Sequence, residues 1–371
     1  MPSSRSGSIF HVALLAVAAC GAPGPGDAVA PGQASGPPPV AVTPVTTAAP
    51  VAPRSANQAL AVSRAAARPG SAGPIEVAVT VDDLPAHGPV PAGVTRLAIH
   101  QEFLKVFRAH AVPQVYGFLN AAKLAEHPED RAALEAWVAA GHPLGNHTYS
   151  HPHLEQIGLD AYLGEIDRNE PLLRALMGKA DERTWKVFRY PFLKEGHDLP
   201  SRNAIRAHLA GHGYRIAQVT IDFADWAWNE PYTRCMERRD EEAIKVLERA
   251  FVNYGRASLQ WSDATARQTY GRPIKHVLLL HVGAFDARAM DRLLTAYEKE
   301  GVRWVSLDEA LSDPVYATDT GFTATWGQSM LEQMTEAHAA PHPPYIPLPT
   351  GFLRVLCRPE YSGAVPGASA P

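Results

Sequence analysis

A chain of 371 residues, 46% apolar and 19% charged, can bury a core of ordinary size and exceeds one average domain, although α/β barrels run this long as single units. Its formal charge of −4 gives no basic face for nucleic acid, so no nucleic-acid partner is expected, and no protein partner is inferred.

The N-terminus reads as an export signal. Arg5 supplies a positive start, and Ile9 to Ala19 is an eleven-residue stretch, apolar apart from His11 and too short to span a bilayer. The run ends in Val17-Ala18-Ala19-Cys20, which resembles the lipobox of bacterial lipoproteins. That resemblance implies a signal over 1–19, lipidation of Cys20, and a chain anchored in the cell envelope facing the periplasm or the cell surface. An ordinary cleaved signal with a coincidental cysteine is the alternative, and it leaves the chain exported all the same. Residues 20–73 are dominated by Ala, Pro, Gly, Ser, Thr and Val and lack aromatic side chains. Such a segment cannot bury enough surface to offset its ordering entropy, and it reads as a disordered tether. With Cys20 lipidated, Cys235 and Cys357 remain; an oxidising compartment permits a disulfide between them, and two buried thiols are the alternative.

From Ile75 onward, apolar runs alternate with helix-length segments. Ile75–Val81 is β-branched and reads as a strand buried on both faces. Val94–His110 has helical spacing, Val115–Leu119 is a strand, Asp130–Ala140 is a helix ended by Gly141, and Leu144–Asn146 is a short strand. A helix over Asp160–Met177 follows. Strands over Lys186–Arg189 and Ile216–Thr220 flank a helix over Arg202–His212. Glu241–Arg256 is amphipathic and is expected to end near Gly255. Ile274–Leu280 is a strand, Ala287–Glu300 a helix and Arg303–Val305 a strand. This alternation predicts an α/β fold with a parallel sheet, which the pattern alone leaves either open or closed. The region 74–315 reads as the catalytic domain. Residues 316–371, with a short helix over Ser329–Ala339 and a Pro-rich stretch, read as an extension packed on it.

Asp82 and Asp83 come directly after the first strand, at its C-terminal end, where adjacent carboxylates point in different directions, so that one can bind a cation while the other acts as a base. His147 and His151 are spaced i, i+4, close enough for both imidazoles to reach one ion; Pro152 disfavours helix at His151 and places the pair on a turn. Thr148 after the first histidine separates this pattern from the HExxH of zinc proteases.

In order, the chain reads Thr80-Val81-Asp82-Asp83, Asn146-His147-Thr148-Tyr149-Ser150-His151, Arg189-Tyr190-Pro191-Phe192, Asp222-Phe223-Ala224-Asp225-Trp226 and Leu278-Leu279-Leu280-His281. This order resembles the NodB-homology polysaccharide deacetylases (carbohydrate esterase family four) over residues 75–312. The resemblance implies a distorted (β/α)7 barrel and a divalent metal, Zn²⁺ with Co²⁺ or Ni²⁺ as alternatives, on Asp83, His147 and His151. It implies Asp82 as general base held by Arg189, His281 as general acid oriented by Asp225, and the backbone N–H of Tyr190 as an oxyanion donor. Pro191, Phe192 and Trp226 become candidate substrate contacts, with Tyr149 and Trp228 as further aromatics for which core or rim packing serves equally well. His87, near the aspartates, reads either as a cleft residue or as surface loop. Two motifs depart from the family: in the first, Val81 stands where phenylalanine is usual and Leu84 where glycine is, and in the third Leu193 replaces glycine; both departures are expected to alter the groove wall.

The implied reaction is removal of N-acetyl or O-acetyl groups from an envelope or extracellular polysaccharide. A three-ligand zinc site leaves a position for water and lowers its pKa to about 7. A carboxylate beside it takes the proton, and a histidine kept charged by a carboxylate protonates the leaving amine. Hydrolysis of a small non-sugar amide, and a non-catalytic glycan-binding lipoprotein, are the competing readings.

Overall fold

The computed structural model describes residues 73–361 and the backbone of Arg54 and Ser55; the expected signal 1–19, Cys20 and the rest of the expected tether lie outside the described residues. Arg54–Ser55 pairs in parallel with Thr318–Asp319. Among the described residues no helix is long and apolar enough to cross a membrane.

The longer elements are β1 (Ile75–Leu84), α1 (Arg96–Ala109), β2 (Tyr116–Leu119), α2 (Arg131–Ala139), β3 (Leu144–Asn146), α3 (Leu159–Met177), β4 (Val187–Phe188), α4 (Leu199–Gly211) and β5 (Arg215–Ile216). There follow α5 (Asn229–Glu237), α6 (Glu241–Tyr270), β6 (Lys275–His281), α7 (Ala284–Lys299), β7 (Val302–Trp304) and α8 (Met330–His338). All strands of the main sheet run parallel in the order β5-β4-β3-β2-β1-β6, with β7 paired to the first residues of β1. The sheet curls into a distorted barrel. Ala217 N donates to Phe188 O beside β4, while Ile221 is bridged to Leu278 of β6, so residues 215–221 pass from one end of the sheet to the other.

β1 shows why this run of residues is a central strand. Side chains alternate across a strand. Val77, Val79 and Val81 pack with α1, α2, α6 and α7, whereas Ala78 packs inside the barrel with Tyr116, Phe118, Val187 and Val277. Continuing the inward set from Ala78 brings Thr80 and then Asp82 to the mouth. In β6 the inward set is Val277, Leu279 and His281, with Leu278 and Leu280 in the outer core. Asp82 and His281 are register partners, so both arrive at the same level of the C-terminal rim.

Two local expectations are corrected. The strand continues through Asp82 and Asp83 to Leu84, with a register shift against β2 between Val81 and Leu84. The helix from Glu241 passes Gly255 and reaches Tyr270, where Gly271 ends it in the left-handed conformation (φ 69°). Gly255 is a contact point between helices. A Cβ there would lie 2.7 Å from Leu293 Cδ1, and the Tyr297 hydroxyl donates to the Gly255 carbonyl at 2.9 Å.

The C-terminal region packs on the barrel. Met330 and Leu331 join Trp261, Ala266, Tyr270 and Ile274 in one cluster, Leu353 enters the main core, and Cys235 and Cys357 are joined by a disulfide.

Candidate active site

Arg189, fully buried, anchors one side. Its Nη1 donates to both oxygens of Asp82 at 3.1 and 3.2 Å, Nη2 to Thr80 Oγ1 at 3.0 Å and Nε to Ala217 O at 2.7 Å. Its guanidinium also lies over the Phe118 ring at 4.6 Å. A buried charge held this way keeps the carboxylate facing it in one orientation. Burial pushes the Asp82 carboxyl up, Arg189 pulls it back, and the balance leaves it raised to about 6.

Asp83 turns out of the alternation because its φ is 71°. Its Oδ2 accepts from His87 Nδ1 at 2.7 Å, and Lys123 Nζ donates to the Asp83 and Ala86 carbonyls at 2.9 and 3.0 Å. Burial would raise the Asp83 carboxyl, but Lys123, the His87 bond and His151 overcome it and hold it well below the usual range. Oδ1 is buried without a hydrogen bond, with the Lys123 ammonium 3.3 Å away. This oxygen lies 3.9 Å from His147 Nε2 and 3.6 Å from His151 Nε2.

The histidine loop is irregular. Thr148 and His151 both have left-handed φ, 65° and 57°, so the i, i+4 pair meets through a loop and not on a helix face. Three asparagines hold it. Asn120 Nδ2 donates to the carbonyls of His147 (2.6 Å) and Thr148 (3.1 Å), Thr148 N donates to Asn146 Oδ1 (2.9 Å), and Asn169 Nδ2 donates to Asn146 Oδ1 (3.0 Å). His147 Nδ1 donates to Arg189 O at 2.8 Å, which leaves the Nε2 lone pair facing both carboxylates, 3.6 Å from Asp82 Oδ2 and 3.9 Å from Asp83 Oδ1. Burial lowers the proton affinity of both imidazoles, that of His151 to about 4, so both present neutral nitrogens.

On the other side His281 Nδ1 pairs with Asp225 Oδ1 at 2.8 Å, and its backbone N donates to Asp225 Oδ2 at 2.5 Å. Burial alone would push His281 down, but Asp225, with Asp83 and Asp82 behind it, raises it to about 9. Asp225 is delivered by a turn in which Ala224 is left-handed (φ 50°) and donates its N–H to Asp222 Oδ1.

A divalent cation fits this donor set: an orphaned carboxylate oxygen and two neutral imidazole nitrogens converge, and both histidines are denied protons by burial. Asp83, His147 and His151 would hold it.

Residues 70–217 match the polysaccharide deacetylase family. The chain carries a polysaccharide deacetylase domain. A peptidoglycan-N-acetylglucosamine deacetylase of Bacillus cereus is 30% identical over 152 residues, 41% of this chain and 46% of that protein, so the chain spans about half the length of the curated relative it matches. Among solved structures, a polysaccharide deacetylase of Bacillus cereus aligns at 19% identity over 63% of this chain and 92% of its own, with a TM-score of 0.42. A chitin deacetylase of Colletotrichum lindemuthianum aligns at 21% over 65% and 89%, with a TM-score of 0.44.

The matched segment of the deacetylase domain holds Asp82, Asp83, His147, His151 and Arg189; Asp225 and His281 lie beyond it and reach the same rim through β6 and the turn before α5. Tyr190 has its ring buried beside Phe188 and Tyr214, away from solvent. Pro191 is buried and presents no face to a substrate; it fixes φ at the start of a short 3₁₀ turn. Phe192 is 39% and Trp226 50% exposed. Trp228 is core, edge-on to Phe251 at 5.5 Å, and Tyr149 carries the Arg168 guanidinium on its face.

Leu84 is not a groove residue. It is fully buried in the outer core, where Gly117 makes room for it. Leu193 does lie at the rim, half-buried, with φ 55° in place of the usual glycine. Sequence reasoning missed Lys123 and left His87 undecided. His87 packs on His281 with ring centroids 4.8 Å apart. Its place four residues after Asp83 was the one available signal; Lys123 offered none, being 40 residues from its partner.

Proposed function

We propose that this chain hydrolyses acetyl groups, in the first place N-acetyl and also O-acetyl, from an envelope or extracellular polysaccharide. The observation that carries the reading is the facing pair of acid–base groups about one donor triad. Asp82 on Arg189 and His281 on Asp225 are register partners, and Asp83 Oδ1, His147 Nε2 and His151 Nε2 converge beside Asp82.

When bound, a divalent cation, Zn²⁺ in first place, supplies Lewis acidity and positive charge at the reacting carbonyl. The chain's own groups do the rest. Asp82, ionised above about pH 6 and fixed by Arg189, takes the proton of the attacking water. The backbone N–H of Tyr190 supports the oxyanion, a class of contact worth on the order of 100- to 1000-fold. His281, held protonated by Asp225, gives its proton to the departing nitrogen, so that the C–N bond breaks to an amine and acetate. With an ester the same proton goes to the alcohol oxygen.

The export signal over 1–19 and Cys20 support a lipid-anchored protein acting outside the cytoplasm, where such glycans lie. The test is acetate release from acetylated envelope glycans by the purified chain. Release is expected to stop on chelation and return with Zn²⁺ or Co²⁺, and full activity in a metal-free sample would exclude this reading.

A further inference from the structure

Phe192, Trp226 and Trp326 are large apolar side chains left 39%, 50% and 55% exposed. The first two flank the centre. Phe192 stands edge-on to His151 at 4.3 Å and stacks on His153 at 3.9 Å, while Trp226 directly follows Asp225, the partner of His281. Trp326 comes from the C-terminal segment, well beyond the part of the chain that matches the deacetylase family.

That segment is fastened to the barrel by two backbone hydrogen bonds, and a capping box stiffens it from within. Ala324 N donates to Gly196 O at 3.2 Å, and Met330 N donates to Val219 O at 2.7 Å. Ser329 and Glu332 form a capping box at the start of α8. Between these ties, Gly327 lies against the Phe192–Leu193 turn so closely that a Cβ would fall 1.5 Å from Phe192 O and 3.4 Å from the Leu193 carbonyl carbon. Only glycine permits that approach. The contact braces two consecutive left-handed residues, φ 57° and 55°, a conformation that L-residues adopt at a cost. It also fixes the residue before it, Trp326, beside the same turn as Phe192.

An indole kept half in water at the rim of a glycan site has a natural occupant. The C–H face of a pyranose ring stacks on an aromatic plane while its hydroxyls stay solvated. We propose that Trp326 is a stacking position for a sugar ring neighbouring the one that is deacetylated, so that the C-terminal segment lengthens the cleft and selects oligosaccharides over single sugars. This rests on the deacetylase reading.

The test compares the full chain with Trp326→Ala, Trp326→Phe and Gly327→Val on N-acetylglucosamine monomer and hexamer. For Trp326→Ala, kcat/KM on the hexamer should fall about tenfold more than on the monomer, mainly through KM. Trp326→Phe should retain most of the discrimination, and Gly327→Val, which displaces the segment with the indole intact, should lose it. Equal losses on both substrates, or none on the hexamer, would overturn the proposal. Hexamer binding to Asp82→Asn protein, measured by titration calorimetry with and without Trp326→Ala, separates the two readings. Binding that depends on Trp326, with no acetate released by the chain that retains Asp82, would remove the deacetylase reading alone. No hexamer binding, or binding indifferent to Trp326, overturns the stacking site.

Discussion

His281 Nδ1 lies 2.8 Å from Asp225 Oδ1, and the same carboxylate accepts the His281 backbone N–H. Burial opposes a charge on this imidazole, so its elevation to about 9 depends on that one carboxylate more than on any other group. The acid must be protonated to act, so turnover should fall as pH rises through about 9. Asp82 must be ionised, so turnover should rise through about 6, or lower once a bound cation draws off its proton. In Asp225→Asn the supporting charge is gone and burial prevails. The alkaline limb should then move to lower pH by roughly one to three pH units. A pH–rate profile of both proteins checks it, and an unmoved limb would assign the acid elsewhere.

Asp82→Asn removes the base and leaves Asp83, His147 and His151 untouched. Turnover should drop about 10²- to 10⁴-fold with the metal content unchanged, read by acetate release and elemental analysis. The same change leaves the buried Arg189 charge without its carboxylate. Stability should therefore fall by roughly 3–5 kcal/mol in denaturant unfolding. Loss of metal would instead make Asp82 a ligand.

His87 holds Asp83 Oδ2 at 2.7 Å and so steers Oδ1 toward His147 and His151. Outer partners of this kind set metal affinity by about 10- to 100-fold. His87→Ala should weaken Zn²⁺ binding by that factor in a competition titration, and His87→Gln, which can still donate, should recover part of it. Unchanged affinity in both would make His87 a bystander.

The disulfide between Cys235 and Cys357 closes a sequence separation of 122 residues. Chain-entropy reasoning gives such a link about 2–5 kcal/mol. Cys235→Ser with Cys357→Ser should lower the unfolding midpoint accordingly, with the difference vanishing when both proteins are compared under reducing conditions.

The parts of this fold that were legible in the sequence are those in which one residue's surroundings lie close along the chain. β1 announced itself because both its faces are buried, which gives an unbroken apolar run. Gly255 misled because a glycine that ends a helix and one that admits a neighbouring helix look alike until Leu293 is seen against it. Leu84 read as groove wall because it stands where the resembled family usually has glycine, whereas its side chain turns outward onto Gly117. The asparagine cage around His147 joins residues 120, 146 and 169, and no local pattern connects them. Lys123 and Trp326 reach the rim for the same reason, by tertiary contact alone.

The Cys235–Cys357 bond also gives the molecule a covalent ring. Everything from α6 through β6, α7, β7 and α8 lies inside it, including His281 and the strip that carries Trp326. A protease that cuts the strip would open the ring without releasing either end. The nicked protein would run as one band until reduced, and the cut strip would stay tethered to the barrel it covers.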